Sequence, residues 1–171
     1  MTLTLTRPTP AHKSAALAFR QAFFDCGERV INGSELLDRT DDYDTWVRNI
    51  AANTRIETVS PDWVLTDTFF ALDERGEIVG IIDLRHTLND FLKDLGHCGY
   101  SVRPDMRRRG YATAMLAQIL VIARESGMPE LLLSVERENL PSARTITKNG
   151  GVLLRQFELG GMQISQYRIA L

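Results

Sequence analysis

Arg107-Arg108-Arg109-Gly110-Tyr111-Ala112 places three cations and a glycine where the chain leaves a strand-like stretch and enters a strongly amphipathic helical one. The chemistry open to such a segment is anion binding. A helix start exposes N–H groups that have no intrahelical partner, and the peptide dipoles add partial positive charge there. Together they hold phosphate oxygens well. Gly110 allows an anion close to the backbone because it has no side chain. Ala112 keeps the next contact small, and the arginines can donate charge-assisted hydrogen bonds. Three adjacent arginines are also an ordinary solvated patch. Their position separates the two readings. Cations at a helix N-terminus oppose the dipole, so a purely structural design would place acids there.

The flanking elements must hold this segment in place. Gly99 to Val102 reads as a strand that Pro104 ends. Apolar residues at Ala112, Met115, Leu116, Ile119, Leu120 and Ala123 form one stripe, which predicts a helix over 109–126. Gly127 and Pro129 stop it. Leu131 to Val135 is nearly all apolar, as in a strand buried on both faces. Pro141 suits the first turn of a further helix, with Asn139 or Leu140 ahead of it and Asn149-Gly150-Gly151 at its end.

Upstream, Thr2 to Thr6 alternates as a strand. His12 to Asp25 and Asp41 to Asn53 carry helical spacing, with Ser34 as a candidate cap for the second helical region. Thr66 to Leu72 and Ile78 to Leu84 form a hairpin around Asp73 to Gly76. The polar stretch 86–95 suits a short helix or a mobile loop. Val152 to Leu159 and Gln163 to Leu171 close the chain as a hairpin around Gly160-Gly161. This order predicts an α/β domain with a mixed sheet, its parallel part around 99–135.

Bulk properties narrow the function classes. The 171 residues fit one domain over 1–171. Net charge is −2, and no basic face extends beyond Arg107 to Arg109, which argues against nucleic acid. No run approaches the roughly 20 apolar residues of a membrane span. The N-terminus lacks the features of a signal peptide, so a cytoplasmic protein is expected. Cys26 and Cys98 stand apart from each other and from any histidine cluster, so free thiols and no metal site are expected.

With these residues the chain resembles the GNAT superfamily of acetyl-CoA-dependent N-acetyltransferases. Their signature is Arg or Gln, two variable residues, Gly, one variable residue, then Gly or Ala. Arg107 to Ala112 meets every fixed place. Val102-Arg103-Pro104 before it and Ala114-Met115-Leu116 after it are typical. Arg85-His86-Thr87-Leu88-Asn89, Gly99 to Pro104 and Lys148 to Gly151 resemble a bacterial group within that superfamily. The element order matches over the whole chain.

The resemblance implies a single domain, a central sheet of about seven strands with a V-shaped splay, and helices on both faces. It implies acetyl-CoA as cosubstrate and a primary amine of a small molecule or peptide as acceptor. The pantetheine arm would pair with Tyr100, Ser101 and Val102, and an N–H near Val102 would polarise the thioester carbonyl. Arg107, Arg108, Arg109, Gly110, Tyr111, Ala112 and Thr113 would form the pyrophosphate site. Asn139 would contact the pantetheine. Lys148 would reach a phosphate, or simply complement the dipole at a helix C-terminus. A homodimer is open, since dimers are common in the family. A catalytically silent acyl-CoA-binding or regulatory module, and a transferase of longer acyl groups, are the alternatives.

The proton-transfer residues depart from the pattern. Where many members carry a tyrosine the chain has Ile146, and near the usual glutamate it has Gly96, His97 and Cys98. His97, His86 and Tyr100 are the candidates that remain, with Asp83 and Glu136 beside the central strands. A histidine has a suitable pKa, although for His86 and His97 a structural hydrogen bond is the favoured reading. Tyr111 is expected to pack behind the loop. The acidic run Asp38 to Asp44 would attract a cationic acceptor or open a helix. The acceptor surface is expected from 25–60 and 86–95.

Overall fold

A computed structural model describes residues 2–171. Eleven named strands and helices carry the fold. β1 (Thr4–Thr6) is followed by α1 (Lys13–Asp25) and α2 (Tyr43–Ala52), then by β2 (Thr66–Leu72), β3 (Ile78–Arg85) and β4 (Tyr100–Val102). α3 (Tyr111–Glu125), β5 (Glu130–Glu136), α4 (Leu140–Lys148), β6 (Val152–Leu159) and β7 (Met162–Ala170) complete it. Single 3-10 turns occur at Pro10–His12 and Pro104–Met106.

The strands form two antiparallel sheets, in the orders β1-β2-β3-β4 and β5-β7-β6. The parallel pairing anticipated around 99–135 is therefore absent as a ladder among the described residues. β4 and β5 are the adjoining ends of the two sheets, and ahead of β4 an isolated antiparallel bridge between Gly96 and Leu133, with the bonds of His97 to Leu132, joins them. Beyond that bridge the sheets part, which is the splay that opens the site.

Strand alternation sorts the core into two layers, because successive side chains on a strand point to opposite faces, with the alternation of β3 shifted at the irregularity where Ala71 faces Gly80 and Leu72 faces Ile78. Phe70, Ile78 and Ile81 pack with Ala16, Phe19 and Phe23 of α1 and with Trp46, Val47 and Ile50 of α2. Phe69, Val79, Ile82 and Leu84 pack with Met115, Leu116, Ile119 and Ala123 of α3. Helices thus cover both faces. β5 is less enclosed than its composition suggests. Leu131 and Leu133 are buried, while Leu132, Ser134 and Val135 are half-buried, because no helix covers the second face fully.

The caps explain the boundaries near the site. Asp42 opens α2 by accepting the Asp44 N–H at 3.0 Å, and Asn139 opens α4 by accepting the Ser142 N–H at 3.2 Å. The acidic run is absorbed by such local bonds. Asp38 accepts the Ile31 N–H at 2.9 Å, and Asp44 pairs with Lys13 at 2.6 Å. No helix starts at Ser34. That serine is buried, and the two residues after it, Glu35 and Leu36, take left-handed backbone with φ of 46° and 71°. The 86–95 stretch forms turns, pinned by the Asn89 side chain accepting the Leu92 N–H at 2.9 Å.

Candidate functional site

A cleft of about 610 Å³ lies in the splay, between β4, the start of α3 and one face of α4. Tyr100, Ser101 and Val102 form one wall. In the antiparallel β3–β4 ladder alternate residues bond inward. The Asp83 N–H donates to the Gly99 carbonyl at 3.1 Å and the Arg103 N–H donates to the Val79 carbonyl at 2.9 Å. By that alternation the N–H and C=O groups of Tyr100 and Val102 face the open edge.

One end of the cleft is the α3 start. Gly110 is the N-cap with φ 85° and ψ 0°, and Tyr111, Ala112 and Thr113 of the first turn line the cavity. Tyr111 is also buried in the α3 core, as expected of a residue packing behind the loop. Arg108 (φ 63°) and Gly110 take left-handed backbone where they line the cavity, the kind of turn in which successive N–H groups form an anion-binding concavity. The acid closest in sequence, Asp105, is held by Arg103 through contacts of 2.8 and 3.2 Å, and that bond keeps its carboxyl below the usual range.

The three arginines separate into different roles. The Arg107 guanidinium donates to both carboxylate oxygens of Glu28 at 2.7 Å and to the Val102 carbonyl at 3.2 Å, and lies 5.6 Å from the Phe23 ring. It ties the end of α1 to the loop, and its hydrogen bond holds Glu28 ionised below the ordinary carboxylate range. Arg109 is outside the cleft lining and donates to the Asp105 carbonyl at 3.3 Å. Arg108 lines the cleft with no ion-pair partner among the described residues, as do Arg144 and Lys148 on α4. Arg144, Asn32 and Glu28 were not singled out in the sequence. Arg144 lies four residues before Lys148 on one helix face, a spacing that could have flagged it.

Asn139 lines the cleft beside Ser142 and Thr145. The Tyr100 hydroxyl projects between them and donates to the Ser142 carbonyl at 3.3 Å. Burial pushes its pKa well up, so it keeps its proton throughout the neutral range. Ile146 is fully buried in the α3 core and faces away from the cavity.

The two histidines are elsewhere. His86 and His97 line a separate cavity of about 310 Å³ with Ser126 to Glu130, which shares no lining residue with the cleft. His86 Nε2 lies 2.8 Å from Asp67, which also binds Arg7 at 2.6 Å. Burial pushes Asp67 up, but these two partners outweigh it and hold the carboxyl low. His97 Nδ1 accepts the Leu132 N–H at 2.9 Å while the His97 backbone N–H donates to the Leu132 carbonyl at 2.7 Å. Burial lowers its pKa. Both rings serve as brackets between strands. Glu136, at the exposed end of β5, does not line the cleft either. Asp83 is fully buried under β4.

Comparison with known proteins agrees with this geometry. The family model for the acetyltransferase (GNAT) domain matches residues 2–152. The chain belongs to the GNAT acetyltransferase family. Among solved structures it is similar to RimL, a ribosomal L7/L12 α-N-protein acetyltransferase in complex with coenzyme A. That match has 13% identity and a TM-score of 0.73, covering 100% of this chain and 95% of the other. It is similar to yncA of Salmonella typhimurium with its cofactor acetyl-CoA, at 16% identity and a TM-score of 0.69, covering 99% and 94%. It is similar to the spermidine/spermine N-acetyltransferase SpeG of Vibrio cholerae, at 14% identity and a TM-score of 0.67, covering 98% and 93%. At these identities the likeness is one of fold. No curated protein sequence matches the chain. Among the described residues no helix is long and apolar enough to cross a membrane.

Proposed function

We propose that the chain transfers an acetyl group from acetyl-CoA to a primary amine of a small molecule or peptide, as one domain over 1–171 in the cytoplasm, by direct attack on the thioester. The observation that carries this is the cleft itself. Its long wall offers strand edge at Tyr100 and Val102, of which the Val102 carbonyl accepts from Arg107, and its end combines a helix N-terminus with Arg108, Arg144 and Lys148, cations with no ion-pair partner among the described residues. An extended amide-bearing arm that ends in phosphates fits both features. Backbone amides from Arg108 to Thr113 would hold the pyrophosphate, with Asn139 on the arm and the Val102 N–H on the thioester carbonyl. Arg107 acts here by fixing the loop rather than by touching phosphate.

The departing thiolate comes from a thiol of pKa roughly 8.5 and needs little help. The buried Tyr100 hydroxyl, which holds its proton tightly, is the hydrogen-bond donor within the cleft for the departing sulfur. Tyr100→Phe is expected to lower kcat on the order of 10²-fold, the usual scale of one acid–base group, while the CoA Kd stays within about threefold. An unchanged kcat removes Tyr100 from this role. Arg144→Ala and Lys148→Ala should each weaken CoA binding about tenfold in calorimetry at low salt, one charge-assisted contact apiece. Equal binding by both variants would leave the α4 face out of the site.

The direct test incubates the protein with acetyl-CoA and a panel of polyamines, amino acids, aminoglycosides and peptide N-termini, and follows free thiol. Thiol release that tracks one amine supports transfer. Tight CoA binding without turnover on a broad panel supports a silent CoA-binding module instead.

A further inference from the structure

The cleft accounts for the loop and the α4 face but leaves unexplained a charged group beneath β4. Residues 31–36 run along that strand. The Ser101 hydroxyl donates to the Asn32 carbonyl at 2.9 Å, and Gly33 rests against Gly99 and Tyr100. The left-handed turn at Glu35 and Leu36 then directs the Glu35 side chain inward, where it is 7% exposed. Its Oε1 lies 3.5 Å from Arg85 Nη2, which also contacts Asp83 Oδ2 at 2.7 Å. Asp83 accepts the Gly99 N–H through its other oxygen at 2.5 Å. Two buried carboxylates therefore share one guanidinium. Such a group carries one negative charge too many for its burial, and a proton between the acids relieves it.

A separate observation marks this place as one that receives something. Thr68 pairs with Asp83 in the β2–β3 register, so both side chains leave the same face of the sheet. Thr68 is 3% exposed and its hydroxyl has no partner among the described residues. Buried hydroxyls are nearly always bonded. Arg85 Nε and the indole N–H of Trp63, whose ring lies 6.0 Å from the Arg85 guanidinium, likewise have none among the described residues. Thr68, on the Asp83 face of the sheet, is the acceptor among these groups, and the guanidinium and indole N–H groups are donors.

We propose that the Glu35–Asp83 carboxylate pair receives the proton of the acceptor ammonium, with Arg85 holding the pair and Thr68 placed to accept from the same ammonium. This rests on the acetyl-transfer reading. The ammonium gives one proton to a carboxylate oxygen. The freed nitrogen pair forms the N–C bond to the thioester carbonyl carbon as the C–S bond breaks. The nitrogen then loses its second proton as the thiolate gains one, so the reaction yields amide, thiol and one proton. Burial and then the charge and hydrogen bond of Asp83 push Glu35 up to about 8, against the pull of Arg85. A base of that strength suits near-neutral operation. The groups facing it are Asp83 and Arg85 from β3, with the Cys98 thiol beside those two ahead of β4, while on α2 the Trp46 indole N–H donates to the Glu35 backbone carbonyl at 2.9 Å.

The test measures kcat and KM across pH 6–9.5 for the whole chain and for Glu35→Gln and Glu35→Asp. It adds a carbon-13 NMR titration of the side-chain carboxyls of the unliganded protein. Wild-type kcat should rise with a midpoint near 8. Glu35→Gln should lose that limb and fall on the order of 10²–10³-fold at pH 7.5, with CoA affinity and melting temperature preserved because the amide copies a protonated carboxyl. Glu35→Asp should regain part of the rate. One carboxyl should titrate near 8 in the wild type and be missing in Glu35→Gln. Wild-type turnover with an unaltered Glu35→Gln profile, or no carboxyl titrating above the ordinary range, overturns the proposal. Absence of thiol release from the wild type with every amine overturns the acetyl-transfer reading beneath it.

Discussion

Gly110→Val is expected to weaken CoA binding by at least about 100-fold, a loss of about 2.7 kcal/mol. Two effects act together. Gly110 holds φ 85° as the α3 N-cap, a conformation that a β-branched residue reaches only under strain. The left-handed region costs an L-residue roughly 1–2 kcal/mol. That penalty should appear as a fall in Tm of about 2–8 °C for a chain of this size. The larger effect is steric. A side chain at Gly110 stands where an anion must approach the backbone N–H groups of the loop and the first turn of α3. Gly110→Ala should fall between the two proteins. Calorimetric titration with CoA, beside a thermal melt, separates the terms. Valine with wild-type affinity and a lowered Tm would mean that the phosphates do not rest on this turn.

The loop, its strand and its helix were legible because each is a local pattern. The stripe from Ala112 to Ala123 became α3, and the run around Ile78 to Ile82 became β3 within a residue or two. Those signals need only a neighbour three, four or two positions away. What failed to read was whatever depends on distant partners. Glu28 meets Arg107 across 79 residues, and Glu35 meets Arg85 across 50. No periodicity marks either pair. Glu35 sits in a segment whose serine looked like a helix cap, and only the consecutive left-handed residues at 35 and 36 show that the chain turns inward there. His86 and His97 had suitable chemistry but an uninformative position. The flank of a polar loop in sequence became a bracket toward the far turn at 126–130. The parallel sheet misread has the same origin. A strand–helix–strand order implies parallel neighbours, yet it is silent on whether they stay hydrogen-bonded, and here the missing ladder is the cleft.

Gly33→Ala should separate acceptor chemistry from cofactor binding more sharply than any change in the cleft. A methyl at Gly33 would lie 2.9 Å from the Tyr100 nitrogen and closer still to the Gly99 carbonyl. Neither backbone can retreat cheaply. Gly99 is fixed to Asp83 by the strand bond at 3.1 Å and by the side-chain bond at 2.5 Å. Gly33 lies between the Ser101–Asn32 bond and the Trp46 indole, which donates to the Ser34 carbonyl at 3.1 Å. Gly33 also holds φ 76°, which adds the left-handed cost to the overpacking. Together these terms come to about 3 kcal/mol, or a Tm lower by about 6–12 °C. The damage is directional. Residues 31–36 must lift from β4, which withdraws Glu35 from Asp83 and opens the buried charges to water. The α3 start lies beyond Arg103 and keeps its geometry. Turnover should therefore fall on the order of 100-fold or more, the scale of one displaced acid–base group, while the CoA Kd changes by less than about threefold at a temperature well below the melt. If Tm and turnover both survive, the segment does not bear on β4, and turnover does not depend on the carboxylate pair it holds.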